Sequence, residues 1–343
     1  MINIKAVMYN NKRNKNYDNK KNNNGKLELS IVIPVYNEEE NIEPLYTSLE
    51  SVLTNLGKSY EVILIDDGSK DNTYKKLLDI HNKDKNFKII KFRRNFGQTP
   101  AMRAGFDYAG GKIVITLDAD LQNDPEDIPK LIQKMEEGYD IVSGWRINRK
   151  DKMVSRKFPS IVANKIISSL FGVRLHDYGC TLKAYRKEVL DNIELYGEMH
   201  RYIPAIASWM GVKVAEIPVN HRARKFGKAK YGISRTLRVI LDIITIKFLL
   251  TYSKKPMQIF GLVGVFTSFV GLVITIYLII MRLFFNRPLS DRPLFILSIF
   301  MIFIGIQLIT MGLLGEVMMR TYHEGTDKST YVIKEIIDKQ YKQ

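Results

Sequence analysis

Two carboxylates and a side-chain amide stand at alternate positions at the end of an apolar run. The run is Lys112-Ile-Val-Ile-Thr-Leu-Asp-Ala-Asp-Leu-Gln122, and its three polar residues are Asp118, Asp120 and Gln122. In an extended chain alternate residues point the same way, so these side chains would present oxygen ligands together where a strand meets its loop. Hard cations such as Mg²⁺ or Mn²⁺ take few protein ligands of this kind and let substrate phosphates complete the shell. The sequence therefore predicts a Mg²⁺ or Mn²⁺ site here, with turn capping as the alternative role of such a pair.

An α/β pattern surrounds this cluster from Leu29 to about Val219. Short apolar runs predict strands at 30–35, 61–65, 87–92 and 112–117, and the stretches between them predict helices at about 39–56, 71–84 and 98–109. Strands of this type, separated by helices, are typical of a mostly parallel sheet. Ligand sites in such sheets collect at the carboxyl ends of the strands. The polar clusters at 36–38, 66–69 and 118–122 follow predicted strands, so we expect them at one edge.

The common glycine-rich phosphate cradles are absent from the sequence, so a nucleotide would be held by carboxylates, a metal and basic side chains. Glu38, Asp66 and Asp67 are candidates for contacts with a base and ribose. One basic run contains Arg146, Arg149, Lys150, Lys152, Arg156 and Lys157, and a second contains Arg222, Arg224, Lys225, Lys228, Lys230, Arg235 and Arg238. Each run fits either a solvated face or a phosphate site. The segment 222–232, with glycines at 227 and 232, favours a lid over phosphates.

The composition restricts the partners. The formal net charge of +16 over 343 residues predicts an anionic partner, and a nucleic acid is not expected because no binding module is visible. A single cysteine excludes an intrachain disulfide framework, and five histidines without paired spacing argue against zinc chemistry. Residues 1–26, rich in Asn and Lys, predict a disordered basic tail.

Two uncharged stretches predict a membrane anchor, with a buried core helix as the alternative. They run from Pro256 to Met281 and from Pro293 to Gly315, and the second would span about 34 Å as a helix. We predict a catalytic domain at 27–231, an amphipathic juxtamembrane helix at 232–255, a two-helix transmembrane hairpin at 256–316 and a C-terminal tail at 317–343. Packing of the amphipathic helix against the catalytic domain is the alternative to a position on the membrane face. Because the sheet domain carries no export signal, we expect it and both termini to be cytosolic.

Several motifs together resemble family 2 glycosyltransferases of GT-A fold. They are Ile33-Pro-Val-Tyr-Asn-Glu38, Ile65-Asp-Asp-Gly-Ser69, Arg94-Asn-Phe-Gly97 and Leu117-Asp-Ala-Asp-Leu-Gln122. Within that family the chain resembles the polyisoprenyl-phosphate glycosyltransferases, which include dolichyl-phosphate mannose synthases and GtrB-type and ArnC-type transferases. Three further segments carry this likeness: Asp177-Tyr-Gly-Cys-Thr-Leu-Lys-Ala-Tyr-Arg186, Arg224-Lys-Phe-Gly-Lys-Ala-Lys230 and Gly312-Leu-Leu-Gly-Glu316. The likeness covers roughly residues 29–322. The Gln-x-x-Arg-Trp motif of the processive branch is absent.

The resemblance implies roles for individual residues. The metal would be bound by Asp118, Asp120 and Gln122. The nucleotide pocket would be lined by Pro34, Val35, Tyr36, Glu38, Asp66, Asp67, Gly97, Gln98 and Asp118. The diphosphate or lipid phosphate would be contacted by Arg146, Arg156, Ser160, Arg224 and Lys230. Ala229 stands where many relatives carry Ser, which removes a hydroxyl contact at that point.

The expected reaction is inverting transfer of one sugar from a nucleotide sugar, UDP-linked by first choice, to a polyprenyl phosphate. The catalytic candidates are Asp120, Arg146 and Asp177. Asp177 either positions the sugar or acceptor or serves as a helix N-cap or a buried turn carboxylate. His200 either meets the sugar or closes a turn. The resemblance further implies an integral protein of the cytoplasmic membrane that contacts membrane lipid and forms a homo-tetramer. GDP-mannose-dependent dolichyl-phosphate mannose synthesis and a catalytically idle membrane scaffold are the alternatives.

Overall fold

The computed structural model describes residues 27–147, 172–193, 199–222, 256–285, 293–325 and 331–338, together with Ser168 and Leu195. These residues form two compact units. One is a sheet domain built from 27–222 and 331–338, and the other is a two-helix hairpin between 256 and 325. The predicted tail at 1–26 and the predicted juxtamembrane helix at 232–255 lie outside the described residues.

Eight strands form one sheet in the order β7-β5-β6-β4-β1-β2-β3-β8. Their bounds are β1 Leu29–Val35, β2 Tyr60–Asp66, β3 Phe87–Phe92, β4 Ile113–Thr116, β5 Ile141–Arg146, β6 Lys183–Arg186, β7 Val214–Val219 and β8 Ile333–Ile337. β1 pairs parallel with β2 and β4, β2 with β3, and β5 with β7. β6 is antiparallel to β4 and β5, and β8 is antiparallel to β3. The predicted α/β fold with a mostly parallel sheet is confirmed.

Helices connect the strands and cover the sheet. Their bounds are α1 Ile42–Asn55, α2 Thr73–Lys83, α3 Gln98–Tyr108, α4 Ile128–Glu136, α5 Lys187–Asp191 and α6 Ile203–Ala207, with short 3-10 turns at Pro125–Asp127, Met199–Tyr202 and Ser208–Met210. Helix α1 illustrates why these segments fold as they do, because its buried residues are Ile42, Leu45, Leu49 and Leu53. Spacings of three and four place them on one face, which packs on the sheet core.

Because β1, β2 and β4 are parallel, the loops that follow them lie at one edge of the sheet, as the sequence predicts. The backbone N–H of Asp67, just after β2, donates to the carbonyl of Val35 at 2.9 Å. The backbone N–H of Asn37 donates to Ser69 Oγ at 3.0 Å, and that of Lys70 donates to Asn37 Oδ1 at 2.8 Å. Asn37 has φ 50°, a left-handed conformation that asparagine tolerates better than most residues. The loops after β1 and β2 therefore hold each other in place.

The two hairpin helices are α7, Pro256–Phe285, and α8, Pro293–Gly325. Within them Phe260–Phe285 and Pro293–Met318 are long and apolar enough to cross a membrane. Only 17% and 11% of their most apolar windows are buried, which disfavours the alternative of core helices. Glycines allow close packing, since a Cβ on Gly305 would lie 2.4 Å from the carbonyl oxygen of Gly264. Large side chains such as Phe266 and Phe303 point outward and are exposed.

The last described strand was not predicted. The sequence predicts a tail at 317–343, whereas helix α8 extends to Gly325 and β8 then extends the sheet beyond β3. The chain therefore leaves the sheet domain, forms the hairpin and returns to the same sheet.

Gly105 lets α3 approach the sheet closely, and substituting it should destabilise the domain. A Cβ at this position would lie 2.2 Å from Val32 Cγ1 and 3.0 Å from Ile65 Cδ1. Alanine favours a helix by up to about 1 kcal/mol, but overpacking costs about 1–3 kcal/mol. We therefore expect Gly105→Ala to lower the free energy of unfolding by about 1–2 kcal/mol in detergent.

The matched control for this prediction is Val32→Ala, which removes the contacting γ-carbons. The double variant should lose less stability than the sum of the two single losses, because removal of the Val32 γ-carbons makes room for the added Cβ. Full stability of Gly105→Ala would contradict the packing argument.

Candidate active site

The loop that follows β4 holds the predicted metal ligands. Two side chains from elsewhere in the fold contact the Asp118 carboxylate: Gln98 Nε2 donates to Oδ1 at 2.8 Å, and the Thr181 hydroxyl donates to Oδ2 at 2.7 Å. Asp120 Oδ1 accepts from the backbone N–H of Gln122 at 3.2 Å. Between them Leu121 has φ 59°, an unfavourable left-handed conformation for a leucine. Backbone strain of this kind is concentrated at functional sites.

The charge balance of this loop suits a divalent cation. Removal of the Asp118 carboxyl from water, and then the negative charge of Asp120, raise its pKa to about 6. A bound cation would relieve both effects, because it favours the ionised form of each carboxylate. Among the described residues no three His, Cys, Asp or Glu side chains are grouped to hold a metal. Asp118 and Asp120 are close enough for the charge of one to act on the other, and two carboxylates whose shell is completed by substrate phosphates fit Mg²⁺ or Mn²⁺. Gln122 follows the left-handed Leu121, so the predicted extended alternation of the three side chains is not kept.

Asp66, the last residue of β2, has one carboxylate oxygen without a hydrogen-bond partner among the described residues. Its side chain is fully buried, and Oδ1 accepts from the backbone N–H of Ser69 at 2.9 Å. Oδ2 is buried and has no hydrogen-bond partner in the described part of the chain. A buried acceptor without a partner is costly, so a ligand donor at this point would stabilise the site.

The end of β1 contributes the neighbouring candidates. Val35 is buried, whereas Pro34 and Tyr36 are partly exposed at the edge. The backbone N–H of Glu38 donates to Thr73 Oγ1 at 2.9 Å, and Glu38 Oε2 accepts from Asn41 Nδ2 at 2.6 Å. The structure thus brings the predicted nucleotide residues of β1 and β2 to one edge.

Asp67 and Gly97, both predicted to bind nucleotide, are hydrogen-bonded to each other. The Asp67 carboxylate accepts from the backbone N–H groups of Phe96 at 2.7 Å and Gly97 at 2.9 Å, and from Asn95 Nδ2 at 2.9 Å. Burial raises the pKa of Asp67 to about 6, against the effect of these donors. The described contacts of Asp67 are therefore with the loop that precedes Gln98.

Arg146 and Asp177 form a two-pronged ion pair. Arg146 Nε lies 2.6 Å from Asp177 Oδ2, and Nη2 lies 2.9 Å from Oδ1. Asp177 is 2% exposed and also accepts from the backbone N–H of Gly179 at 3.1 Å. These contacts are those of a turn carboxylate, one of the two roles that the sequence left open. They also engage the guanidinium for which a phosphate contact is predicted.

Lys183 is a site residue that the sequence analysis did not single out. It is 2% exposed, and its ammonium donates to the carbonyl oxygens of Tyr178, at 3.0 Å, and Cys180. Burial lowers the pKa of Lys183 to about 8. The turn that it caps carries both Asp177 and Thr181, so this lysine supports the two carboxylate contacts described above. A lysine between Leu182 and Ala184 in a short strand was the available signal.

His200 is buried beside the first turn of α3. Its Nδ1 lies 2.6 Å from Thr99 Oγ1, and its Nε2 is buried without a hydrogen-bond partner in the described chain. Burial, followed by the charge of Arg201, lowers its pKa well below the usual value. His200 is therefore neutral at physiological pH and unsuited to be a charged phosphate ligand.

Arg222, the first residue of the second basic run, contacts the loop at 118–122, hereafter the metal loop. The backbone N–H of Arg222 donates to the carbonyl of Gln122 at 2.9 Å. Arg222 Nη2 lies 2.6 Å from Asp124 Oδ2, so this guanidinium is paired with a carboxylate. The predicted phosphate residues Arg156, Ser160, Arg224 and Lys230 lie outside the described residues.

Comparisons with known proteins agree with the geometry. Residues 30–194 match the model of Glycosyl transferase family 2. Dodecaprenyl-phosphate galacturonate synthase of Rhizobium johnstonii is 39% identical over 318 residues, which cover 92% of this chain and 94% of that protein. Glucosyl-3-phosphoglycerate synthase of Mycobacterium tuberculosis, solved with Mn²⁺, UDP and phosphoglyceric acid, superposes with a TM-score of 0.52 at 19% identity. That match covers 65% of this chain and 79% of the other, and it shows a shared fold.

Thr181 should control the pH at which the metal loop binds a cation. Asp118 loses its charge as the pH falls through about 6, and a protonated carboxyl is a poor metal ligand. Thr181→Val removes a donor to the ionised form, which raises this pKa further. We expect the loss of Mn²⁺ binding on acidification to move up by about one pH unit.

Mn²⁺ binding measured by calorimetry between pH 5 and 8 tests this, with Thr181→Ser as the control that keeps the hydroxyl. An unchanged pH dependence in Thr181→Val would refute the assigned contact.

Proposed function

Because the chain belongs to glycosyl transferase family 2, we propose that it transfers one sugar from a nucleotide sugar to a polyprenyl phosphate, with inversion, at the cytosolic membrane face. The observation that carries this proposal is the combination of two features in one chain. Asp118 and Asp120 lie at the carboxyl edge of the sheet that also bears Asp66, and the chain continues into two helices apolar enough to cross a membrane. The first feature suits a nucleotide diphosphate, and the second suits a lipid acceptor.

The proposed donor is a UDP-sugar, with a UDP-hexuronate as the first candidate. Two findings support this choice. The relative that shares 39% identity is named for galacturonate, and the solved relative of similar fold was captured with UDP. GDP-mannose is the second donor to test, since dolichyl-phosphate mannose synthases share the motifs.

The chain's own residues would act mainly by orienting the two substrates. Asp66 and Glu38 are proposed to accept hydrogen bonds from the base and ribose. Asp118, Asp120 and Gln122 would hold Mg²⁺ or Mn²⁺, which when bound would offset charge on the diphosphate leaving group. The acceptor is a phosphate monoester with its second pKa near 6, so it is largely dianionic at neutral pH. Transfer therefore needs alignment of a phosphate oxygen with the anomeric carbon more than a strong base.

Arg146 and Asp177 are assigned to this alignment as a pair. Two hydrogen bonds fix the guanidinium plane, which leaves its remaining N–H groups in a defined direction for a sugar or phosphate oxygen. In this proposal Asp177 acts by holding Arg146.

The return of the chain to its own sheet supports a hairpin with both ends on one side. β8 follows α8 and pairs with β3, and a strand on the opposite side of a membrane could not make those hydrogen bonds. Two crossings are thus consistent with the sheet pairing, and the cytosol is proposed as the side of the sheet domain.

A donor panel tests the reaction directly. Purified protein in detergent, undecaprenyl phosphate and Mn²⁺ would be offered UDP-galacturonate, UDP-glucuronate, UDP-glucose and GDP-mannose singly, with lipid products read by mass spectrometry. We expect one donor to add the mass of one sugar residue. Asp120→Asn should lower turnover at least about 100-fold, because it removes a charge from the cation site. The exposed Asp79→Asn on α2 is the matched control and should retain full activity.

Two results would contradict the proposal. Products with several sugars would indicate a processive synthase, and a folded protein that binds nucleotide sugar but never turns it over would favour the scaffold alternative. Full activity of Asp120→Asn would argue against the metal assignment alone.

Membrane topology has its own test. The single native thiol, Cys180, is fully buried and should not react with an impermeant maleimide. In inside-out vesicles we expect Lys334→Cys to be labelled and Asn286→Cys, between the two helices, to be protected until the vesicles are opened. Labelling of both positions from one side would show that the helices do not span the bilayer.

A further inference from the structure

The side chain of Tyr331 contacts the end of β3 and the last turn of α3, the helix that follows it. Its ring stacks on Phe92, the last residue of β3, with a centroid distance of 5.3 Å and an interplanar angle of 12°. Its hydroxyl donates to Asp107 Oδ2, near the end of α3, at 2.8 Å. One aromatic residue from the far end of the chain therefore ties the start of the 92–107 segment to its end.

The strand after Tyr331 holds the same edge along its length. β8 pairs with β3 from Ile89 to Phe92, and the backbone N–H of Arg93 donates to the carbonyl of Val332 at 3.1 Å. Two side-chain contacts add to the ladder: Lys88 Nζ lies 2.9 Å from Asp338 Oδ2, and Tyr74 Oη donates to Glu335 at 2.7 Å. Without β8, the N–H and C=O groups on the outer side of β3 would have no strand partner.

The 92–107 segment carries contacts of the candidate active site. Gln98, the first residue of α3, donates to Asp118 Oδ1, and Gly97 donates to Asp67. The loop before them packs tightly against the loop after β2, since a Cβ on Gly68 would lie 2.5 Å from the carbonyl carbon of Arg94. A shift of this segment would therefore move the donor that Gln98 presents to the metal loop.

We propose that Tyr331 is a positioning residue for donor binding, which ties α3 to the end of β3 and through that helix sets the hydrogen bond from Gln98 to Asp118. The proposal rests on the function proposed above. It assigns to the C-terminal strand a role in the active site that follows from its contacts, beyond protection of a sheet edge. A strand that only protected the edge would affect stability and leave the affinity for cation and nucleotide unchanged.

Binding measurements on the full-length protein in detergent test this without requiring turnover. In Tyr331→Ala we expect the affinity for Mn²⁺ with UDP, measured by calorimetry, to fall roughly three- to tenfold. Tyr331→Phe keeps the stacked ring and loses the hydroxyl, so it should show a smaller loss. Lys334→Ala is the matched control, because this lysine on β8 is exposed and makes no described side-chain contact; it should bind as the wild type does.

A double-mutant cycle shows whether the effect passes through Gln98. If Tyr331 acts on that hydrogen bond, Tyr331→Ala in a Gln98→Ala background should weaken binding by clearly less than it does alone. Hydrogen exchange in the peptide covering 93–100 should rise in Tyr331→Ala and stay unchanged in Lys334→Ala. For an active donor, its KM should rise while the KM for polyprenyl phosphate and kcat stay within about twofold.

The outcomes separate this inference from the proposed function. Unchanged Mn²⁺–UDP affinity in folded Tyr331→Ala, or strictly additive effects in the cycle, would overturn the positioning role. A wild-type protein that binds Mn²⁺ and UDP but yields no lipid product would instead overturn the proposed reaction, and the binding cycle would still decide the role of Tyr331.

Discussion

The candidate site depends on keeping Asp118 ionised in a half-buried position beside a second carboxylate. Loss of water and the charge of Asp120 oppose ionisation, and the hydroxyl of Thr181 favours it. Gln98 supplies a second donor. These donors come from α3 on one side and from the turn before β6 on the other. Much of the surrounding structure serves to deliver them: Asp67 holds the loop before Gln98, and Lys183 caps the turn that carries Thr181.

Two arginines near this loop, Arg146 and Arg222, are paired with carboxylates, which restricts how they can act. A buried ion pair such as Arg146–Asp177 gains little net stability, because removing both groups from water costs about as much as their attraction returns. Its value lies in geometry, since two hydrogen bonds fix the plane of the guanidinium. Lys183 also acts through geometry, because a buried ammonium hydrogen-bonded to two carbonyl oxygens holds a turn in one conformation. The site is thus organised before any ligand binds, which lowers the cost of ordering its substrates.

The local sequence pattern was enough to predict the elements that place the site. It could not predict the contacts between residues that are distant in sequence. The apolar runs of β1, β2 and β3 and the polar residues after β1, β2 and β4 follow directly from sequence, because burial on both faces leaves a continuous signal. β6 is only four residues long, and its sequence Lys-Ala-Tyr-Arg gives no apolar run, so its antiparallel insertion between β4 and β5 was not foreseen. The pairing of Asp67 with the 95–97 loop, and of Arg146 with Asp177, joins residues that are about thirty positions apart. The pattern of residues along the chain does not reveal which distant residues pair.

β8 shows the limit most clearly. Its five residues, Ile-Lys-Glu-Ile-Ile, lack a regular alternation, and the Tyr331 hydroxyl finds its partner 224 positions earlier in the chain. Closing so long a loop costs little more entropy than closing one of half the length, because the cost grows with the logarithm of length. The hairpin helices reduce that cost further, since ordered segments have little freedom left to lose. The order of synthesis then has a physical consequence. β1 to β7 can form while β3 is still an open edge, and the edge closes only after both hairpin helices have been made. Completion of the sheet is in this way coupled to completion of the two-helix hairpin.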